Sequence, residues 1–279
     1  MYRRTPPPSI TVILILISLF AFFAPLPYSV IQPGPAWNLF GGDVHVDGFS
    51  DAKVNGKIFA TAVFATAPAT YVNAPMVLDS WIRGLDVVVP RRFLYDPKIS
   101  PKQAMEQSNQ EMVGSQNDAR TAALRYLRAP HTYLRDTYFS TFSTADSRHG
   151  DLSKVESSIK ALSPSSIHIS LDGTGGPSGG LAFTLATIVA VAAPDVLHGK
   201  SVAVSGTIAP DGTVGKIGGI DQKLEGSHIA GAKYFLAPAG DCQEISHKPQ
   251  GMTVIPVTNL DDAFMRLATL GSGTIPKCG

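Results

Sequence analysis

The stretch GGPSGG, residues 175–180, runs directly into LAFTLATIVAVAA, residues 181–193. The second segment carries no charge over its 13 residues. A helix that is apolar on every side has no face to offer water, so other elements must enclose it. The chain therefore has to build a core around this segment, and 279 residues suffice for that. The small residues ahead of it leave two readings of Ser178. It is either the cap of a buried helix or a nucleophile held at that helix's N-terminus.

The elements around the run alternate. IHISL, from Ile167, and SVAVSGTI read as strands, and APDGTVGKIGG reads as a glycine-rich turn. IDQKLEGSHIAGA reads as an amphipathic helix and KYFLAP and MTVIPV as strands. NLDDAFMRLATLG closes the series as a helix capped by Asn259 and stopped by Gly271. Residues 167–279 are thus expected to form an α+β domain with an α/β texture.

Upstream, residues 29–128 read as a strand-rich region ending in a helix. GKIFATAVFATA and GLDVVVPRRFL are strand-like, with turn material such as NAP at 73–75 between them. Residues 101–128 have helical spacing, with Ser100 and Pro101 at the start, Gly114 as a candidate break, and SQNDA as either a contact with the core or, the favoured reading, a polar face. Residues 129–166 are polar and Ser/Thr-rich, a linker or loop. There is no internal repeat.

The N-terminus has its own pattern. ITVILILISLFAFFA, Ile10–Ala24, is uncharged and follows Arg3 and Arg4. A positive stretch before an apolar run is the mark of export, so residues 1–28 are expected to be a signal anchor that crosses the membrane, in preference to a signal that is removed. The rest of the chain is then extracytoplasmic. Outside the cytoplasm the two cysteines, Cys242 and Cys278, are expected to form a disulfide. No CxxC pair or histidine cluster suggests a metal. With a net charge of +1 and no basic block, nucleic acid is not an expected partner. GxxxxGK[ST] occurs nowhere, and GTGGPSG places Ser178 where the last glycine of GxGxxG belongs, so no nucleotide or other cofactor is expected.

Two kinds of catalysis remain open for Ser178. GPSGG satisfies GxSxG, the nucleophile elbow of Ser-His-Asp hydrolases, with Asp195, Asp211, His228 and His247 as possible partners. Alternatively, a desolvated lysine takes the serine proton. Its amine must be neutral near working pH, which burial promotes. Lys223 shares a helical face with Ile220 and Leu224, and with His228 or Ile229, and so points inward with the apolar residues. Free amides at a helix N-terminus suit a developing oxyanion, and the small Gly176 and Gly179 let a substrate backbone approach. Gly218 and Gly219 serve as a turn, as a close backbone approach, or as both.

The combination GPSGG, SGTI and DGTVGKIGGIDQKLEGSHIAGAKYFLAP resembles the proteolytic domain of Lon proteases. The resemblance covers about residues 167–265 and implies that Ser178 is the nucleophile and Lys223 the general base. Ser205 stands where that family has a threonine supporting the lysine. Gly175 stands where the family has an acid. The order of an N-terminal apolar segment, VIQPGPAWN and EMVGSQNDARTAALRYL is similar to exported, membrane-anchored Lon-like proteases. Those usually carry a PDZ domain before the protease core, where this chain has only residues 129–166. The resemblance implies an ATP-independent serine endopeptidase acting on exported or membrane-associated proteins, with possible self-association. The other expectations are a Ser-His-Asp hydrolase and a non-catalytic anchored scaffold.

Overall fold

The computed structural model describes residues 8–50, 54–129, 152–171, 173–271 and 275–278. In chain order the described elements are α1 (Pro8–Phe23), β1 (Tyr28–Asn38), β2 (Val44–Val46), β3 (Lys57–Ala65), α2 (Ala74–Arg83), β4 (Val87–Pro90) and α3 (Pro101–Arg128). They continue with α4 (Leu152–Ala161), β5 (Ile167–Ile169), α5 (Gly180–Ala192), β6 (Ser201–Val204), β7 (Thr207–Ile208) and β8 (Val214–Gly215). Last come α6 (Ile220–Ile229), β9 (Tyr234–Pro238), β10 (Thr253–Val257) and α7 (Leu260–Ala268). The architecture is α+β.

The chain divides into two compact units, Met1–Gln32 with Phe64–Ala104 and Pro33–Val63 with Met105–Gly279. The cut differs from a simple succession of regions, because the segment 33–63 belongs with the C-terminal domain. There, β3 pairs in parallel with β6, from Lys57 opposite Ser201 to Ala60 opposite Val204. β6 pairs in parallel with β9, and β9 with β10.

The strands of this second unit bury alternate residues on two faces, as the period of two requires. Ile58, Val202, Val204, Leu236 and Ile255 join the larger core with α5, whose residues are all buried. Phe59, Ala203, Phe235, Ala237 and Val254 turn the other way and pack with Ile220 and Leu224 of α6. The sheet thus separates α5 from α6. Gly226 lets α6 lie close to β1, for a Cβ there would sit 2.1 Å from the Gly34 carbonyl oxygen.

Cys242 and Cys278 are disulfide-bonded, with a Cα–Cα distance of 5.1 Å. Both pack on the α6 side of the sheet. The bridge closes a loop across a sequence separation of 36. Chain-entropy reasoning makes that worth about 3–4 kcal/mol. Cys278→Ser should therefore lower the unfolding free energy by that amount in denaturant titration, and a reductant should do the same to the wild type.

In the first unit, β1 pairs antiparallel with β4, from Tyr28 opposite Pro90 to Ile31 opposite Val87. α1 contacts α2. The expectation of a membrane-crossing helix needs correction here. α1 has 16 residues, about 24 Å at the usual rise, against a hydrocarbon core of about 30 Å. Among the described residues no helix is long and apolar enough to cross a membrane.

Four other expectations change. NAP at 73–75 is no mere turn: Asn73 caps α2 by accepting the Met76 amide at 3.2 Å, and Pro75 lies in its first turn. Gly114 does not break α3, which runs unbroken for 28 residues. SVAVSGTI is two strands, β6 and β7, interrupted at Ser205–Gly206. Of the expected linker at 129–166, residues 130–151 lie outside the described residues, and the remainder includes α4 and a short turn of 3-10 helix at Pro164–Ser166.

Candidate active site

Ser178 sits in the turn just before α5, half-buried, with Gly179 at the cap position. Ser178 itself does not cap the helix; no side-chain cap bond is made there. The turn is pinned from two directions. From α3, Ser115 Oγ donates to the Pro177 carbonyl at 2.9 Å, and the Ser108 carbonyl accepts the Gly176 amide at 3.0 Å. From the break after β6, the Gly206 amide and Ser205 Oγ both donate to the Ser178 carbonyl, at 2.9 and 3.2 Å. Gly176 adopts φ +82°, in the left-handed region that favours glycine. Gly175 packs on α3, where an added Cβ would lie 2.2 Å from Ser108 Oγ. An acid at that position would have to displace Ser108.

Lys223 comes from the opposite face of the sheet. It lies one turn inside α6, which is preceded by Gly219 at the cap position. Ile220 and Leu224 bury beside it, and Ser227 Oγ donates to its carbonyl at 2.6 Å. The face ends sooner than the sequence suggests: His228 and Ile229 are exposed. The Lys223 side chain reaches Ser205 just past the end of β6, where the Ser205 amide still donates to the Leu236 carbonyl of β9 at 3.2 Å. Its Nζ lies 2.8 Å from Ser178 Oγ and 3.2 Å from Ser205 Oγ. Ser178, Lys223 and Ser205 are thus brought together from three separate elements.

Lys223 is only 3% exposed. Burial pushes its ammonium down from the ordinary lysine range to about 8, against an opposing pull from the Asp241 carboxylate. A neutral amine is then a substantial species near physiological pH, and it can accept the proton of a serine hydroxyl at this distance. Asp241 follows β9 and is fully buried. Its Oδ2 accepts the Ile217 amide at 3.0 Å, which fixes the turn leading into α6. Burial raises its carboxyl above the usual range.

Sequence reasoning placed Ser178, Lys223, Ser205, Gly176 and Gly179, and all five lie at this site. It missed Ser108, Ser115 and Asp241. The SQNDA segment was expected to be a polar helix face. Instead Ser115 and Ala119 are buried against the α5 layer. The available signal was the spacing of Ser108, Met112, Ser115, Ala119 and Ala122, three or four residues apart, which marks one helix face. Asp241 had no sequence signal beyond its place after a strand. The histidines proposed for a Ser-His-Asp arrangement lie elsewhere. His228 is exposed, and so is His247, which lies 3.6 Å from Glu225 Oε2. Among the described residues no group of three or more His, Cys, Asp or Glu is placed to hold a metal ion.

Comparison with known proteins adds an independent observation. The model of the Lon protease (S16) C-terminal proteolytic domain matches residues 141–269. A Lon protease of Chloroflexus aurantiacus is 37% identical over 93 residues, 32% of this chain and 11% of that protein. Lon proteases of Chloroflexus aggregans and Buchnera aphidicola are 32% and 31% identical over 92 and 93 residues. The match spans only about a tenth of the length of these relatives, 11–12%.

Proposed function

We propose, on the premise of the match between residues 141–269 and the Lon protease (S16) C-terminal proteolytic domain, that the chain is an ATP-independent serine endopeptidase working through Ser178 and Lys223. The observation that carries the reading is the 2.8 Å separation between Lys223 Nζ and Ser178 Oγ, with the amine buried. Neutral Lys223 takes the Oγ proton as Ser178 attacks the peptide carbonyl. The oxyanion is held by backbone amides of the turn that carries Ser178, ahead of α5. Lys223 then gives its proton to the leaving amine. A water molecule, deprotonated by the same amine, attacks the acyl-enzyme and releases the acid, and the proton returns to Ser178. Ser205 holds Nζ on line, accepting from it while donating to the Ser178 carbonyl.

The substrates we propose are peptides and unfolded segments of exported or membrane-associated proteins. Placement outside the cytoplasm is supported by the Cys242–Cys278 bridge and by Arg3 and Arg4 ahead of the apolar α1. With α1 short of a full crossing, that segment serves export or attachment at the membrane surface. Self-association is proposed on family resemblance alone.

The test is covalent labelling of Ser178 by a serine-directed phosphonate across pH. Because burial lowers the lysine to about 8, the labelling rate should rise from pH 6 to 8 and level off at about pH 9, following the free amine. A rate that is flat over this range, or labelling at another residue, would overturn the assignment.

A further inference from the structure

Exposed large apolar side chains are unevenly shared. Among the described residues of the unit that holds Ser178 and Lys223 they are few and scattered: Met105, Val113, Ile229 and Met265. In the other unit, α1 exposes its apolar side chains all round, and Tyr71, Leu78, Trp81, Ile82 and Phe93 add to them. Two of these, Trp81 and Ile82, are 67% and 84% exposed and adjacent on α2. A soluble surface has little reason to present this set next to an uncharged helix.

Tyr71 and the turn that carries Arg91 and Arg92 gather at the foot of α1. Leu26 donates its amide to the Val72 carbonyl at 2.7 Å, and Arg91 donates its amide to the Pro27 carbonyl at 2.9 Å. Tyr28, Tyr71, Arg91 and Arg92 therefore line one hollow, of about 560 Å³. The Arg91 guanidinium lies 5.4 Å from the ring centres of both Tyr71 and Tyr95, and Arg92 lies 5.6 Å from that of Phe93. Arg83 is already paired with Asp79 at 2.8 Å, so the rim charge rests on Arg91 and Arg92. Asp96 also borders the hollow, with one oxygen accepting the Lys98 amide.

We propose that the Trp81–Ile82 face of α2, with the Tyr28, Tyr71, Arg91 and Arg92 rim, is a second membrane-docking surface that seats on an anionic phospholipid bilayer beside α1. The proposal rests on the reading of α1 as a membrane attachment. Tyrosine and tryptophan rings settle at headgroup depth, and arginine meets lipid phosphate there. An amphipathic helix lying in the interface suits an anchor too short to cross. Continuity with α1 and the arginine charge together favour a bilayer over a soluble peptide as the occupant of this surface.

The test uses the full chain with Trp37→Phe, which leaves Trp81 as the remaining tryptophan of two. It is mixed with vesicles of phosphatidylcholine and phosphatidylglycerol carrying brominated acyl chains. Trp81 emission should shift to the blue and be quenched. Arg91→Gln and Arg92→Gln should each weaken binding about five-fold at low salt, and Ile82→Ser should weaken it at any salt. Chain bound to vesicles with Trp81 unquenched would overturn the docking surface and leave attachment by α1 standing. Equal binding of the arginine variants would overturn the anionic assignment. No association with vesicles at all would overturn both the proposal and the attachment it rests on.

Discussion

Lys223→Met is expected to abolish peptide hydrolysis while making the fold more stable near neutral pH. Loss of a general base that works as a unit with its nucleophile costs on the order of 10⁴-fold or more in turnover. The stability change follows from linkage. Lys223 has its folded value lowered by burial to about 8 from the ordinary 10.5. The unfolded chain therefore binds the extra proton between about pH 8 and 10.5, and stability rises with pH through that window. Below it the buried amine costs the fold about 3 kcal/mol, from 1.36 kcal/mol for each unit. Methionine removes that cost but loses the contacts with Ser178 and Ser205, so a net gain of about 1–2 kcal/mol at pH 7 is expected. Urea titrations at pH 7 and pH 10 check it, since the advantage should shrink as the wild-type lysine becomes neutral. Lys223→Arg separates base from bulk. Arginine keeps the positive charge and donors but cannot become neutral, so it should be as inactive as methionine. Hydrolysis by either variant at the wild-type rate would end the proposed mechanism.

Ser178→Ala is the second large effect. On the proposed mechanism, removing Oγ takes away the atom that would form the acyl-enzyme, and turnover of an unfolded protein should fall by about 10⁴–10⁶-fold. Little else should change. The Ser178 carbonyl keeps its bonds from Gly206 and Ser205, Pro177 keeps its bond from Ser115, and Lys223 keeps Ser205. The melting temperature should stay close to that of the wild type, and an unfolded substrate should still bind. A steady-state assay beside equilibrium binding resolves the two. Retained turnover would move the chemistry to another residue, and loss of binding together with turnover would show that the change reached beyond the hydroxyl.

Parts of this site were open to reading in advance, for definite reasons. Ser178 stood out because a lone hydroxyl among glycines and a proline precedes a run that must be buried. Lys223 stood out because a lysine between Ile220 and Leu224 has no polar face to occupy. Ser108 and Ser115 did not, because a small hydroxyl on a helix looks the same whether it meets water or a carbonyl 62 residues away, as Ser115 meets Pro177. Asp241 was hidden for a similar reason. A carboxylate after a strand is ordinarily solvated, and only the packing around β9 makes this one buried. The length of α1 also needed the structure, since where an apolar helix stops depends on how the chain turns at Ala24 and Pro25.

By itself the sequence determined which segment had to be enclosed, which runs would form strands, and which serine and lysine were out of place in ordinary roles. Those are consequences of local composition and period. The tertiary structure alone decided that two side chains 45 positions apart, one in the turn before α5 and one on α6 across the sheet, would meet at 2.8 Å past the end of β6. It also decided that the lysine would be dry enough to give up its proton, because desolvation is set by everything packed around the amine and not by its neighbours along the chain.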